Sequence, residues 1–315
     1  WINFGSYTVN MSPNGGADQM TGFTGFGTLG GGNLDVDVRG DAGISKPLGF
    51  GDQSLNGRSQ GWVLAVGSTG RVGADGSLQL TGGGDLNLRV GGSVNGGSDA
   101  YRDHLNGAVV NLRGHVQMTS GDLGSLTLRY GIKSGNQSPS EVRAIDALRS
   151  TSGIAAGGMT LLPGDATFSL ATRGDLVVQD VADPGRASQM NTLTYQKGDT
   201  SGIGQSWFSL WTSRTAVDLF SGGGNLTPLT GTTETDMAAV YPATLRAVAA
   251  NGSLYYGSSS AFNTDDKMLR ALVLAPSANG QLELLAGDSI YGGALSICRS
   301  SAAPDTMATI WKPAY

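Results

Sequence analysis

Apolar and polar residues alternate in short segments along much of this chain, and glycines separate the segments. In residues 78–94, LQLTGGGDLNLRVGGSV, apolar side chains stand at positions 78, 80, 86, 88, 90 and 94. Because successive side chains of a β-strand point to opposite faces, this alternation predicts strands of about four to six residues with one buried face. The glycines favour tight turns, since they adopt positive φ without a Cβ clash.

An interval of eight residues joins apolar positions in three parts of the chain: Leu78 to Leu86 to Val94, Phe168 to Leu176, and Leu282 to Ile290. Such regular short strands predict an all-β, right-handed parallel β-helix built from stacked coils of roughly 20 to 25 residues. Its inward apolar ladder would contain Leu34, Val36, Leu78, Leu80, Leu86, Leu88, Val94, Phe168, Leu170, Leu176, Leu282, Leu284 and Ile290. Several Asn-Gly and Asp-Gly pairs favour hairpin loops, so an antiparallel β-sandwich or barrel is the alternative.

One segment departs from the strand pattern. In QSPSEVRAIDALRST, Ser138 is a candidate helix N-cap and Glu141 stands three residues later, as in a capping box. An apolar stripe follows at Val142, Ile145 and Leu148. The sequence therefore predicts one elongated segment over 1–315, with a short flanking helix near 139–149 inside a possible interruption at 136–152, and a more aromatic distal part at 205–315.

Composition narrows the function. Glycine accounts for 51 of 315 residues, yet 39% of the chain is apolar, so we expect it to fold. A net charge of −5 gives no basic stripe for nucleic acid, and no apolar run is long enough to span a membrane. The single cysteine, Cys298, excludes an intrachain disulfide, and we expect neither a metal site nor a cofactor. Since the chain begins at Trp1, we expect it to be part of a longer polypeptide.

Three runs in the second half carry a resemblance. They are WFSLWTSRTAVDLFSGGGNLTPLT at 207–230, AVYPATLRAVAANGSLYYG at 239–257 and LVLAPSANGQLELLAGDSIYGG at 272–293. In their order and amino-acid sequence, these runs resemble the large bacterial exoproteins of the filamentous haemagglutinin family, which are exported by two-partner secretion. The earlier Gly-Asp-Leu repeats resemble that family more loosely.

The resemblance implies a β-helical shaft, secreted or held at the bacterial cell surface near the outer membrane, that acts in adhesion or aggregation. It also implies an outer-membrane secretion partner for the parent protein. We expect polysaccharide or a host or bacterial cell surface as the ligand, with lateral self-association possible between long shafts. The alternative within the same family is a passive delivery stalk for a contact-dependent toxin.

The candidate ligand-binding residues are aromatic. Trp207, Trp211, Tyr255 and Tyr256 belong to the densest aromatic group of the chain, and aromatic rings stack on sugar faces. The same rings would equally suit a cluster that covers the end or side of a sheet. The sequence thus predicts either a carbohydrate contact or a structural cap at these positions.

Catalysis has little support in the sequence, so we expect no enzyme and name no catalytic residue. A polysaccharide-degrading β-helix enzyme remains the alternative, and it would use carboxylates such as Asp265 and Asp266. His104 and His115 have no matching carboxylate motif nearby.

Other short patterns have simple structural interpretations. In GGGNLDVDV, Asp35 and Asp37 are expected to project outward from a strand rather than bind calcium. The triplets Arg-Gly-Asp at 39–41 and 173–175 fall where the pattern predicts turns.

Overall fold

The computed structural model describes residues 7–8, 19–20, 25–43, 62–72, 74, 78–95, 107–130, 151–156, 158–181, 183–184, 210–228, 239–256, 272–292 and 295–297. All regular secondary structure in these ranges is β-strand. The strands are β1 (Tyr7–Thr8), β2 (Gln19–Met20), β3 (Gly25–Thr28), β4 (Leu34–Val38), β5 (Trp62–Val66), β6 (Gly70–Val72), β7 (Leu78–Leu80), β8 (Leu86–Val90), β9 (Ser93–Val94), β10 (Gly107–Ser120), β11 (Asp122–Leu123) and β12 (Ser125–Tyr130). They continue with β13 (Thr151–Ala156), β14 (Met159–Thr172), β15 (Leu176–Val181), β16 (Ala216–Ser221), β17 (Leu226–Thr227), β18 (Ala239–Tyr241), β19 (Thr244–Ala249), β20 (Leu254–Tyr256), β21 (Leu272–Leu274), β22 (Gln281–Ala286), β23 (Ile290–Gly292) and β24 (Leu295–Ile297).

Most strand pairs are parallel and follow the order of the chain. One series runs β4-β8-β10-β14-β16-β19-β22, and a second runs β3-β5-β10-β14-β15. A third runs β9-β11-β15-β17-β20-β23, and a fourth joins β18, β21 and β24. The antiparallel pairs among the described strands are β1–β2, β6–β7 and β12–β13.

Strands β10 and β14 belong to two series because each turns a corner. The first part of β10 pairs with β5, while its last residues pair with β8. At the corner of β10, Gly114 has φ +138°, and a Cβ there would stand 2.0 Å from the carbonyl oxygen of Gly84. Only glycine therefore allows this strand to bend while it stays close to its neighbour.

The apolar core consists of rows of register partners. One row is Leu34, Leu86, Val116, Phe168, Val217, Leu245 and Leu282, and the next is Val36, Leu88, Met118, Leu170, Leu219, Ala247 and Leu284. In the interior strands these side chains are almost fully buried. Asp35 and Asp37 alternate with them on the exposed face, as predicted. Parallel pairing thus stacks one apolar residue per strand into a continuous core.

The predicted inward ladder is confirmed for its interior members, since Leu86, Leu88, Val94, Phe168, Leu170 and Leu176 are each at most 1% exposed. Leu34, Val36, Leu282 and Leu284 are partly buried and pack against the same core. Ile290 is 47% exposed, because β23 is the outermost described strand of its series. Leu78 and Leu80 lie in β7, which pairs antiparallel with β6, so they stand outside the parallel rows.

The eight-residue interval corresponds to a bend between two series in most of its occurrences, whereas the step from Leu78 to Leu86 leads from antiparallel β7 into β8. Phe168 lies in β14 and Leu176 in β15, and the same step leads from Leu86 to Val94 in β9. The short glycine segments between them occupy the bend.

The alternative of an antiparallel sandwich or barrel is not supported, because the main sheets are parallel and no closed barrel exists in the described part of the chain. The predicted helix near 139–149 lies outside the described residues. Thr151 and Ser152, the last residues of the predicted interruption at 136–152, belong to strand β13. Within the ranges given above, no helix is long and apolar enough to cross a membrane.

Candidate functional site: a polar groove at a corner

A groove of about 310 Å³ lies where β10 and β14 turn their corners. It is lined by residues 82–85 and 113–115 together with Asp165, Thr167 and Arg214. These residues come from separate strands and turns that parallel pairing brings side by side. We call this surface the corner groove.

Asp165 is the centre of a charged network in the corner groove. Arg214 donates from Nη2 to Oδ2 of Asp165 at 2.7 Å and from Nε to Oδ1 at 3.1 Å, a two-point pairing. The hydroxyl of Thr212 donates to Oδ1 at 2.6 Å, and Nε of Arg113 lies 3.8 Å from Oδ2. The carboxylate side chain is 17% exposed, whereas that of Arg214 is 62% exposed. The arginine therefore covers the acid and presents its own outer edge to solvent.

His115 forms a second polar centre on the same wall. Its Nδ1 is hydrogen-bonded to the hydroxyl of Thr167, the register partner on β14. Its backbone N–H donates to Oδ1 of Asp85 at 3.1 Å. The residue is exposed, and the contact with Thr167 holds its imidazole at Nδ1.

Glycine backbone forms the remaining wall. Gly83 has φ +122°, and a Cβ on it would stand 2.5 Å from the carbonyl oxygen of Arg113. Nη1 of Arg113 donates to the carbonyl oxygen of Gly82 at 3.3 Å. A Cβ on Gly82 would stand 2.6 Å from the carbonyl oxygen of Gly30, and one on Gly84 would stand 2.5 Å from that of Gly32, so glycine at these positions lets adjacent backbone segments pack closely.

The segment before β16 closes one side of the corner. Trp211 donates from Nε1 to the carbonyl oxygen of Pro163 at 2.9 Å, and Thr215 donates its hydroxyl to the carbonyl oxygen of Gly164 at 2.7 Å. Trp211 is half-buried and packs against the main core. The structure thus brings one of the predicted aromatic residues next to the corner groove, with its indole N–H used for packing the segment.

The other aromatic candidates lie elsewhere. Tyr255 and Tyr256 are in β20, and Tyr255, only 4% exposed, packs with Leu126 and Val177. Tyr256 is half-buried, and desolvation raises the pKa of its hydroxyl. Trp207 lies outside the described residues, as do Asp265, Asp266 and His104. Buried rings of this kind offer a sugar little stacking surface, although the carbohydrate contact predicted at these four positions stays a prediction.

Near the starts of β9, β11 and β15, aspartate side chains accept hydrogen bonds from the backbone of neighbouring segments. Oδ1 of Asp41 accepts from the N–H of Ser93 at 2.8 Å, and Oδ1 of Asp122 accepts from the N–H of Asp175 at 2.8 Å. Asp175 in turn accepts from the N–H groups of Asn225 and Leu126, both at 2.9 Å. The aspartates of both Arg-Gly-Asp triplets therefore hold adjacent strands together at bends, as the turn interpretation predicted.

The corner groove has no local signature in the sequence. Its two arginines and its aspartate, Arg113, Arg214 and Asp165, are far apart along the chain and form no local motif. The one local signal at the groove is the glycine run before Asp85, and the strand pattern predicts only a turn there. In the sequence, His115 has no carboxylate residue in a matching motif nearby.

No group of three or more His, Cys, Asp or Glu side chains in the described ranges is placed to hold a metal ion. Comparison with known proteins finds no family model that matches this chain, and neither a curated protein nor a solved structure is found to be similar.

Proposed function

We propose that this chain is a segment of a right-handed parallel β-helix, the shaft of a secreted or cell-surface exoprotein of the filamentous haemagglutinin type. In this proposal it is not an enzyme, and it acts in adhesion or aggregation through a carbohydrate or a partner cell surface. The observation that carries the proposal is the stacking of one inward residue per strand, in chain order, across β4, β8, β10, β14, β16, β19 and β22.

The pairing of β14 with β15 supports a helical path of the chain. Met159 at the start of β14 is the register partner of Val178, so the chain returns to stack on itself after 19 residues. That length lies just below the predicted coil of roughly 20 to 25 residues. Longer separations between partners, such as the 52 residues from Asp35 to Asn87, fit coils that carry insertions. The right hand follows from the strong preference of parallel crossover connections.

The hydrogen bonds of Asp165 support a structural role for this carboxylate in the corner groove. A general acid or base needs a carboxyl group that can reach the substrate and exchange a proton. Both carboxylate oxygens of Asp165 accept from Arg214, and Oδ1 also accepts from Thr212. Asp165 is therefore used in holding the site together, which supports a non-catalytic role for this residue.

Surface display tests the proposed function. The full 315-residue chain would be displayed on non-adherent bacterial cells through an unrelated anchor, and cell aggregation and attachment to glycan-coated surfaces would be measured. We expect attachment that is lost in Leu88→Asp, which breaks the core, and retained in Arg89→Gln, an exposed neighbour. If cells that display the folded chain neither aggregate nor attach, the adhesin proposal is wrong and the passive-stalk alternative is favoured.

A further inference from the structure

We propose that the corner groove binds a carboxylated sugar of the uronic acid class. The inference rests on the proposed function for the choice of a carbohydrate, and on the geometry of the groove for the rest. A volume of about 310 Å³ is at the lower end of the range for small-ligand sites. It suits a short saccharide rather than a macromolecular surface.

Arg214 is placed to recognise the carboxylate. A guanidinium carries five N–H groups, and Arg214 uses Nε and Nη2 for Asp165. Within the described residues its Nη1 group has no partner, and the side chain is 62% exposed. Pairing with Asp165 also holds the guanidinium plane in one orientation, so a ligand carboxylate meets a preorganised donor edge.

The groove also offers partners for hydroxyl groups. In the part of the chain that the structure describes, Oδ2 of Asp85 has no hydrogen-bond partner, so it can accept from a sugar hydroxyl. His115 is exposed and lines the groove, and Thr167 holds its imidazole at Nδ1, so Nε2 is the ring nitrogen that remains for a ligand hydroxyl. A ligand that carries a carboxylate and several hydroxyls on one small ring matches this mixture of donors and acceptors better than a simple anion does.

The glycine side of the groove is a backbone surface. Residues 82–84 have no side chains, and Gly83 and Gly114 adopt φ values of +122° and +138° that disfavour any replacement. This part of the groove wall is therefore backbone held in place by close neighbours, and we expect a pyranose ring to lie against it while its carboxylate reaches Arg214. The formal charges of two arginines and two aspartates cancel in the groove, so recognition depends on hydrogen-bond geometry rather than on net charge.

Isothermal titration calorimetry on the full chain tests this inference. The probes are a galacturonic acid trisaccharide, its fully methyl-esterified form and sodium acetate. We expect the acid to bind at least about tenfold more tightly than the ester, because the ester removes the charge-assisted hydrogen bonds. Acetate should not compete at matched concentration. Equal binding of acid and ester, or full competition by acetate, overturns the proposal.

Variants locate the site. Arg214→Gln should weaken binding about tenfold to 100-fold, while Arg246→Gln should leave it unchanged. Arg246 is a matched control, because it is also exposed and pairs with two carboxylates, Asp218 and Glu283, away from the groove. Thermal unfolding of each variant shows that it is folded. His115→Gln, at an exposed side chain, provides a second test and should weaken binding several-fold.

Unchanged affinity in folded Arg214→Gln and His115→Gln overturns the assignment of the site. The two proposals fail separately. A chain that mediates attachment without binding the trisaccharide retains the adhesin function and loses the groove assignment. A chain that binds the trisaccharide through Arg214 but does not support attachment retains the groove and loses the adhesin function.

Discussion

The backbone N–H of Asp175 donates to Oδ1 of Asp122, 53 residues earlier in the chain, at 2.8 Å. The carboxylate of Asp175 then accepts from two further backbone N–H groups, those of Asn225 and Leu126. One aspartate thus joins the strand before it and the strand after it, at a bend where neighbouring backbone cannot provide all the partners.

Replacing this aspartate should be costly. Asp175→Ala leaves the N–H groups of Asn225 and Leu126 without their acceptor, so we expect a loss of about 2 to 4 kcal/mol in the free energy of unfolding. Chemical denaturation measures it. Asp37→Ala, at an exposed strand position, should stay within about 0.5 kcal/mol of the wild type. Equal stability of the two variants would show that these hydrogen bonds do not hold the bend.

The inward rows predict a strong effect at Leu88. This side chain is 0% exposed between its partners Val36 and Met118. Leu88→Asp buries an unpaired carboxylate, so we expect a loss of roughly 3 to 5 kcal/mol, measured as a shift of the unfolding midpoint. Arg89→Gln, on the opposite face of the same strand, is the control and should change stability little. A Leu88→Asp variant as stable as this control contradicts the register.

The corner of β10 requires glycine at position 114. In Gly114→Ala the new Cβ would stand 2.0 Å from the carbonyl oxygen of Gly84, at a φ of +138°. We expect a loss of about 2 kcal/mol or more in stability, since both the contact and the backbone conformation are unfavourable. Gly40→Ala provides the comparison, because a Cβ at Gly40 would meet nothing within 4 Å. Similar unfolding curves for the two alanine variants would mean that β10 bends elsewhere.

We expect the stability of the protein to depend on pH at alkaline values because of Tyr256. Desolvation raises the pKa of this hydroxyl in the folded protein above its ordinary value near 10. Between the two pKa values the unfolded chain has lost a proton that the folded chain retains, so stability falls as the pH rises above about 10. Below that pH both states keep the proton and no effect arises.

The comparison variant for this effect is Tyr256→Phe. Urea denaturation from about pH 9 to about pH 11 should show a steeper loss for the wild type than for the variant. Parallel losses in the two proteins would assign the alkaline sensitivity to other groups.

The strands could be predicted from sequence because their signal is local. Alternation around Leu86 and Leu88 and the eight-residue step from Phe168 to Leu176 each lie within one strand or one bend. The outward direction of Asp35 and Asp37 follows from the same period.

The corner groove could not be predicted in this way. Asp165 meets Arg214 across 49 residues, and His115 meets Thr167 across 52. These pairings depend on the number of residues between successive strands, and that number varies widely along the chain. The register of the strands can therefore not be predicted from composition or from local spacing. The buried tyrosine, Tyr255, shows the converse, because an aromatic run in sequence does not reveal which rings are covered.

One distance tests the stacking of the parallel strands directly. Asp35 and Glu283 lie on the outermost strands of one series, six register steps apart. With spin labels on Asp35→Cys and Glu283→Cys in a Cys298→Ser background, pulsed electron paramagnetic resonance should give a single distance of about 30 Å, six strand spacings of about 4.8 Å. A much longer distance, or several populations, would contradict the stacked order of these strands.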